Sequence, residues 1–533
     1  MDPGRLSNVR AFVSLSLLAL SIPALGHAYA RAFATFRGSR VRRIVLLSWG
    51  TSAFVRWVLA PKWIVTMFIG YLLTEQALEL STTSHYGVGS LALYHAVFGF
   101  LPPDHRWLLW TNAIVSVLML PLAAAFVARL AKNVTTGAIF AWLLALVPLF
   151  VKNDASDANQ VPCLFWAFGG LVALEAWCDT GRRNSLFAAA ILLSLAANAR
   201  PEMPLLLALW VATFLVVLSP PLARFRDRAL LVVVPLAIAS VVPHLLHVGG
   251  ATALLEERDS LPAMSSISSQ MLRSLVRLDT VLTPSLFPVG ILLFALWPTR
   301  KHLRLRLALL LLAMVTLALY GLDLCRANMA RVHVPGALLV TMLAALGVTA
   351  MFRKVRRWPV RALLLLAAFA TALPTVRTLW AATNEQAEED LVREAVARLP
   401  KDAPYTFVRF ARADRRVGVP GADVTHHHFP DYLFRPPRGT ARLSSIVDWI
   451  DQPDLDRPAY FFLGMRCYAE FREERAPRPH GDALQPACAR MQAEFELEPV
   501  FERDVPNRGD VWLEYYGDAP TLRVGLYRVR RRR

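Results

Sequence analysis

Residues 152–219 read KNDASDANQVPCLFWAFGGLVALEAWCDTGRRNSLFAAAILLSLAANARPEMPLLLALWVATFLVVLS. Three apolar runs, at about 162–178, 185–199 and 203–219, stand between short polar breaks. The break between the first two carries Arg182 and Arg183, whereas the outer breaks carry Asp154, Asp157, Arg200 and Glu202. Runs of this length match the hydrocarbon thickness of a bilayer. They do not alternate as barrel strands must, so the spanning element is a helix.

The pattern extends to both sides. Further runs at about 11–30, 44–60, 106–127, 137–151, 229–247, 286–298, 307–322, 334–351 and 361–379 bring the set to about 11–12 transmembrane helices, and such runs stop near residue 380. Of 533 residues, 55% are hydrophobic and only 18% charged, which a soluble chain of this size would reverse in emphasis. The expected fold is an α-helical polytopic membrane domain over 1–380, followed by a soluble domain over 381–533.

The net charge of +18 would suggest a nucleic-acid partner in a soluble protein. Here the cations sit in alternate loops: Arg31, Arg37, Arg40, Arg42 and Arg43; Arg129 and Lys132; Arg182 and Arg183; Arg224, Arg226 and Arg228; Arg300 to Arg306; Arg353 to Arg361. That is the signature of cytoplasmic loops, and it argues against nucleic acid. The other loops, 61–105, 152–161, 200–202, 248–285, 323–333 and everything after 380, then lie outside the cytoplasm, as in a protein of the bacterial inner (plasma) membrane. The first run, between Arg5 and Arg10 and the Ala28-Tyr29-Ala30 triplet, has the form of a signal peptide. Cleavage there would export the five arginines of 31–43, so a retained helix is the expectation.

Residues 381–533 read as mixed α/β. Helices are expected at 386–399 and 483–495, and strands at 405–408, 459–463 and 524–529. Cys467 and Cys488 fall in this domain, where an oxidising compartment permits a disulfide; two free thiols is the alternative. The terminal Arg530 to Arg533 reads as a tail near anionic lipid.

Ionisable groups gather at the outer helix ends rather than at helix midpoints, where an ion-coupled transporter would place them. Asp154 and Asp157, with Lys152 beside them, share one face of a helical turn, and paired carboxylates suit a general base; helix-capping acids are the alternative. Arg200, beside Pro201 and Glu202, suits a phosphate contact or, equally, a local Arg–Glu pair. Arg331 and His333, with Asp323 and Arg326, suit either a lipid phosphate or general headgroup contact. In the 61–105 loop an interfacial helix over 63–80 would align Tyr71, Glu75 and Glu79, ahead of His85 and Tyr86. The run His426-His427-His428 makes a poor metal set, because neighbours on a strand point to opposite faces.

In this order the pieces resemble the GT-C polytopic glycosyltransferases, in particular the protein-mannosyltransferase-like and aminoarabinose-transferase-like group. The carriers are Arg56 and Pro61 ending an early helix, Tyr86-Gly87-Val88-Gly89 and Phe98-Gly99, Asn153-Asp154 to Asp157, Ala197 to Glu202, and Arg331-Val332-His333-Val334-Pro335. The resemblance implies transfer of a sugar from a polyprenyl-phosphate donor, among membrane lipids, to a lipid, glycan or protein acceptor by inverting displacement. It implies Asp154 and Asp157 as the second-loop acids and Arg331 and Arg200 as phosphate or sugar contacts; Glu75 joins the catalytic candidates, and Glu202, His333, Tyr86 and Lys152 join the substrate-contact candidates. It implies no certain cofactor and leaves a divalent metal open. The family carries an Asp early in the first outer loop, whereas Thr66 to Tyr71 here contain no acid. Glu75 or Glu79 then stands in, or the base is Asp154 or Asp157, or transfer is lost. A non-catalytic scaffold and a lipid or sugar transporter are the competing readings.

The loop assignment is open to direct labelling. A cysteine introduced as Asp157→Cys should react with a membrane-impermeant maleimide on intact cells, while Arg226→Cys should react only after lysis. The reverse pattern would invert the topology.

Overall fold

The computed structural model describes residues 3–37, 41–59, 73–74, 76–78, 80, 87–102, 104–154, 159–256, 293–297, 302–322, 334–370, 384–401, 403–409, 441–468, 470–471, 484–507, 514–515 and 519–532. They form two compact units. The first holds the described residues up to 370 apart from Leu73, Thr74 and 102–108, and the second holds those segments and residues 384 onward.

The first unit is helical: α1 (Pro3–Thr35), α2 (Val41–Leu59), α3 (Val88–Phe98), α4 (His105–Leu130, from Leu109), α5 (Val134–Leu146), α6 (Pro148–Asp154), α7 (Gln160–Thr180), α8 (Arg183–Ala197), α9 (Met203–Leu218), α10 (Leu230–Glu256), α11 (Leu303–Leu322), α12 (Val334–Lys354) and α13 (Trp358–Ala370). Among the described residues, five helices are long and apolar enough to cross a bilayer, and five shorter apolar helices accompany them. The apolar cores of α7 and α12 are wholly buried. By contrast α1 and α10 turn large apolar side chains outward, with Ile22 73% and Leu231 77% exposed. Continuous apolar surface of this kind is stable against lipid, not water. The chain is a polytopic helical membrane protein with a C-terminal α/β unit.

Two spans differ from expectation. The run 137–151 is broken at Val147, which is extended (φ −62°, ψ 122°) because it precedes Pro148, so α5 and α6 are separate. Helix α3 lies inside what reads as a long outer loop; its glycines and small residues hide a helical run that close neighbours support. The described part of the 63–80 stretch is helical at 73–74 and 76–78, while Tyr71, Glu75 and Glu79 lie outside the described residues, as does the 286–298 run apart from 293–297.

Loop ends read as one set do meet one another. Arg31 bonds Glu175 (3.0 Å) and Asp179 (2.5 Å), Arg183 pairs with Asp227 (3.2 Å), and Arg224 reaches the Asp179 carbonyl. Helix α7 ends there on Gly181, whose φ of +71° returns its N–H to the Trp177 carbonyl. A Cβ at Gly181 would collide with the Arg224 guanidinium.

The second unit is built on a five-stranded sheet, ordered β2 (Ala441–Ser445), β1 (Tyr405–Arg409), β3 (Ala459–Leu463), β7 (Thr521–Arg531), β5 (Phe495–Pro506), with a small pair β4 (Glu470–Phe471) and β6 (Glu514–Tyr515). Strands β2, β1 and β3 run parallel, and β7 alone is reversed, pairing antiparallel with both β3 and β5. Helices α14 (Asn384–Arg398), α15 (Ile446–Trp449) and α16 (Pro486–Glu494) cover it. Every residue of β1 is buried, as parallel strands between two layers require. Cys467 and Cys488 are joined by a disulfide.

Strand β5 is not legible from its own composition. FELEPVFERDVP is rich in acids and proline, but its acids face the arginines of β7: Glu498 bonds Arg530 (2.6 Å), and Glu502 bonds Arg523 (3.1 Å). Most of the terminal arginines are thus tied to the sheet rather than forming a separate tail. Arg530 lies on β7, and Arg532 donates to the Ala493 and Gln492 carbonyls.

At residues 104–106 the second unit gains a buried ion network. His105 donates to Glu389 (3.0 Å), Arg393 reaches Glu389 (2.5 Å) and Asp104 (2.8 Å), and Arg106 pairs with Asp390 (3.2 Å). Burial pushes the Glu389 carboxyl up, but the His105 hydrogen bond and the charges of His105 and Arg393 outweigh it and hold the group at about 2. Its stabilising contribution is complete above the usual carboxylate range and is lost as pH falls through that range toward 2. Glu389→Gln should remove about 3 kcal/mol of this linkage. Thermal unfolding of the full chain between pH 7 and pH 3 should then fall less steeply for the variant; equal slopes would show that Glu389 is not the group responsible.

Candidate active site

Helix α2 presents Arg56 one turn before its end, against the broken end of α5. A helix end leaves carbonyls without partners. Arg56 fills two of them, donating to Leu144 O (3.2 Å) and Ala145 O (3.3 Å). It also donates to Ser52 Oγ (2.8 Å) and Ser116 Oγ (2.5 Å). The charge is met by Asp154, at the last position of α6, whose Oδ2 accepts from Nη2 at 2.5 Å and Nε at 3.1 Å. Both side chains are buried, 2% and 4% exposed. Because both bonds fall on Oδ2, Oδ1 is left without a hydrogen-bond partner among the described residues.

The second cluster lies between α8 and α9. The chain turns through Asn198 to Glu202, and Pro204 sits within the first turn of α9. Arg200 is held by Asn159 Oδ1 (2.5 Å) and Glu202 (2.5 Å), so the local Arg–Glu pair forms. Its carbonyl accepts from His244 Nε2 (3.1 Å), and His244 Nδ1 lies 3.2 Å from Arg10 Nη2. A guanidinium only donates, so Nδ1 is the acceptor and the proton is on Nε2. The glycines of the Tyr86 to Gly89 motif have their reason here. Gly89 N donates to Asn198 O (2.9 Å), and a Cβ on Gly87 would stand 2.0 Å from that same oxygen. Ser90 Oγ bonds the Asn159 carbonyl (3.1 Å).

Sequence motifs far apart in the chain are thus gathered at one set of helix ends: Gly87 to Ser90, Asn159, Asn198 to Glu202, and, through Asp154, the Arg56 position. Asp154 and Asn159 are five residues apart, which limits their separation to about 18 Å. Arg10, His244 and Gln160 belong to the same surroundings and escape sequence reading, since each sits in or beside an apolar run as an isolated polar residue. Asp157, Glu75, Tyr86, Arg331, His333 and His426 to His428 lie outside the described residues, as does the Lys152 side chain. Among the described residues no three His, Cys, Asp or Glu groups converge as a metal set.

The close approach at Gly87 gives a stability test. Gly87→Ala should destabilise the full chain by roughly 1–3 kcal/mol or more, because the obstacle is backbone and cannot rotate away. Gly50→Ala, where a Cβ meets nothing within 4 Å, is the control and should not lower the thermal midpoint. Equal midpoints for the two variants would refute the tight Gly87–Asn198 contact.

No family model and no curated protein matches the chain in sequence. Solved structures do. ArnT from Cupriavidus metallidurans in the apo state is 12% identical, with a TM-score of 0.51 over 92% of this chain and 97% of that one. The same protein bound to undecaprenyl phosphate gives 11% identity and a TM-score of 0.46, with 92% and 97% covered. The oligosaccharyltransferase of Archaeoglobus fulgidus in its apo form gives 15% identity and a TM-score of 0.43 over 70% of this chain; the chain spans 63% of that protein's length. Over 92% of its length, this chain shares the fold of ArnT from Cupriavidus metallidurans.

Proposed function

We propose that the chain is a membrane glycosyltransferase. It takes a sugar from a polyprenyl-phosphate carrier and passes it to a lipid, glycan or protein acceptor at the non-cytoplasmic face of a bacterial plasma membrane. The observation that carries this reading is the Asp154 carboxylate, fixed through Oδ2 by Arg56 with Oδ1 unengaged, in a fold shared with enzymes of this kind.

The chemistry is one displacement. As the acceptor oxygen bonds to the anomeric carbon, its proton passes to Asp154 Oδ1. The bond from that carbon to the phosphate oxygen breaks, and its electron pair leaves on the polyprenyl phosphate. Arg331, His333, Lys152 and Tyr86 are assigned to the donor by their place in the sequence, and Asp157 and Glu75 are the alternative bases. Arg200 is already neutralised by Glu202, so it serves as an organiser of the site more than as a free phosphate cation.

A second reading has its own support. Arg56 caps the broken end of α5, which gives the Arg56–Asp154 pair a structural purpose whether or not transfer occurs. Full-length protein in liposomes, given undecaprenyl phosphate carrying labelled hexose or pentose, separates the two. Transfer should release undecaprenyl phosphate, and Asp154→Asn should lower kcat by about a hundred- to ten-thousand-fold with KM for the donor little changed. An unchanged kcat would rule out Asp154 as the base, and no turnover by the wild type with any donor would favour the scaffold.

A further inference from the structure

At the start of α7 the fold leaves polar atoms unused. Asn159 is the N-cap residue, yet its side chain makes no capping bond. Its Oδ1 is taken by Arg200, and its Nδ2 is buried with no hydrogen-bond partner among the described residues. The next residue, Gln160, is in the same condition at both Nε2 and Oε1. Each of the two residues is 2% exposed. Leaving a buried donor or acceptor unmade costs about 1–3 kcal/mol per group. Three such atoms on adjacent residues, beside the paired Arg200 and Glu202, mark a place built for a ligand.

The set of atoms says what kind. The charges nearby are settled, because Arg200 and Glu202 neutralise each other at 2.5 Å. What remains is neutral: amide N–H donors on both residues and one carbonyl acceptor on Gln160. The Asn159 orientation is fixed, since Arg200 requires an acceptor there, and turning the Gln160 amide over changes nothing because both its atoms are open. A phosphate offers acceptors only and would leave the Gln160 carbonyl oxygen unmatched. A hydroxyl both donates and accepts. We propose that Asn159 and Gln160 form a subsite that reads neighbouring hydroxyls of the donor sugar, separate from whatever holds the lipid phosphate. This rests on the transferase reading and adds to it the atoms that select the sugar.

The probes are undecaprenyl phosphate and its mannosyl, glucosyl and arabinosyl esters, titrated into the full-length protein in nanodiscs and followed by native mass spectrometry. Wild type should bind at least one glycosylated lipid more tightly than the bare phosphate. Gln160→Met should weaken that glycolipid about tenfold, leave undecaprenyl phosphate unchanged, and hold or raise the thermal midpoint, since it removes unpaired polar atoms. Asn159→Asp, which keeps the acceptor for Arg200 while losing the Nδ2 donor, should act in the same direction. A glycolipid preference that survives both substitutions overturns the subsite alone, and so does an equal loss for bare and glycosylated lipid. A raised midpoint with unchanged selectivity marks a structural solvent pocket and also overturns it. Binding of none of the four lipids by the wild type defeats the transferase reading itself.

Discussion

A cation buried in an apolar bundle has no water to lean on, and Arg56 is such a cation. An isolated charge there is prohibitive, and an unpaired backbone carbonyl at a helix break is costly. The structure answers both demands with one side chain. Arg56 closes the carbonyls left open where α5 stops before Pro148, and Asp154, seven residues into the restarted chain, closes the charge. The kink, the cation and the carboxylate depend on one another.

The same rule orders the rest of the first unit. Arg31 reaches Glu175 and Asp179 at one set of helix ends, and Arg200 is shared between Asn159 and Glu202 at the other. It holds in the second unit, where Glu388 is matched by Arg409 and the Met465 N–H, and Glu389 by His105 and Arg393. Against so consistent a background, the open amides of Asn159 and Gln160 stand out. Pairing serves the fold, whereas unpaired polar atoms held out of water are a provision for something that binds.

Several features were legible because they are local or statistical. Apolar run length located most helices, and cation alternation grouped the loop ends that do meet. Strand β3 showed its aromatic character, and Cys467 and Cys488 were the two cysteines beyond residue 380. Other features depended on partners remote in sequence. Strand β5 is a strand because arginines of β7 lie opposite its acids. Arg530 and Arg532 are held by Glu498 and by the carbonyls of Ala493 and Gln492, far back in the chain. Gly87 is required by the backbone of Asn198, and nothing near residue 87 announces that.

The candidate site divides in the same way. The sequence by itself determined that this is a chain of about a dozen apolar helices with a mixed α/β domain behind them, and that acids and arginines cluster at alternate helix ends. Hydrophobic length and charge bias are sums over neighbours along the chain, so no folding is needed to read them. Only the tertiary structure decided that Asp154 is bound to Arg56, that Arg200 is already neutralised, and that Asn159 and Gln160 are left open. Those are properties of which side chains meet once the helices pack, and in a low-dielectric interior it is the partner that decides what a polar group can do.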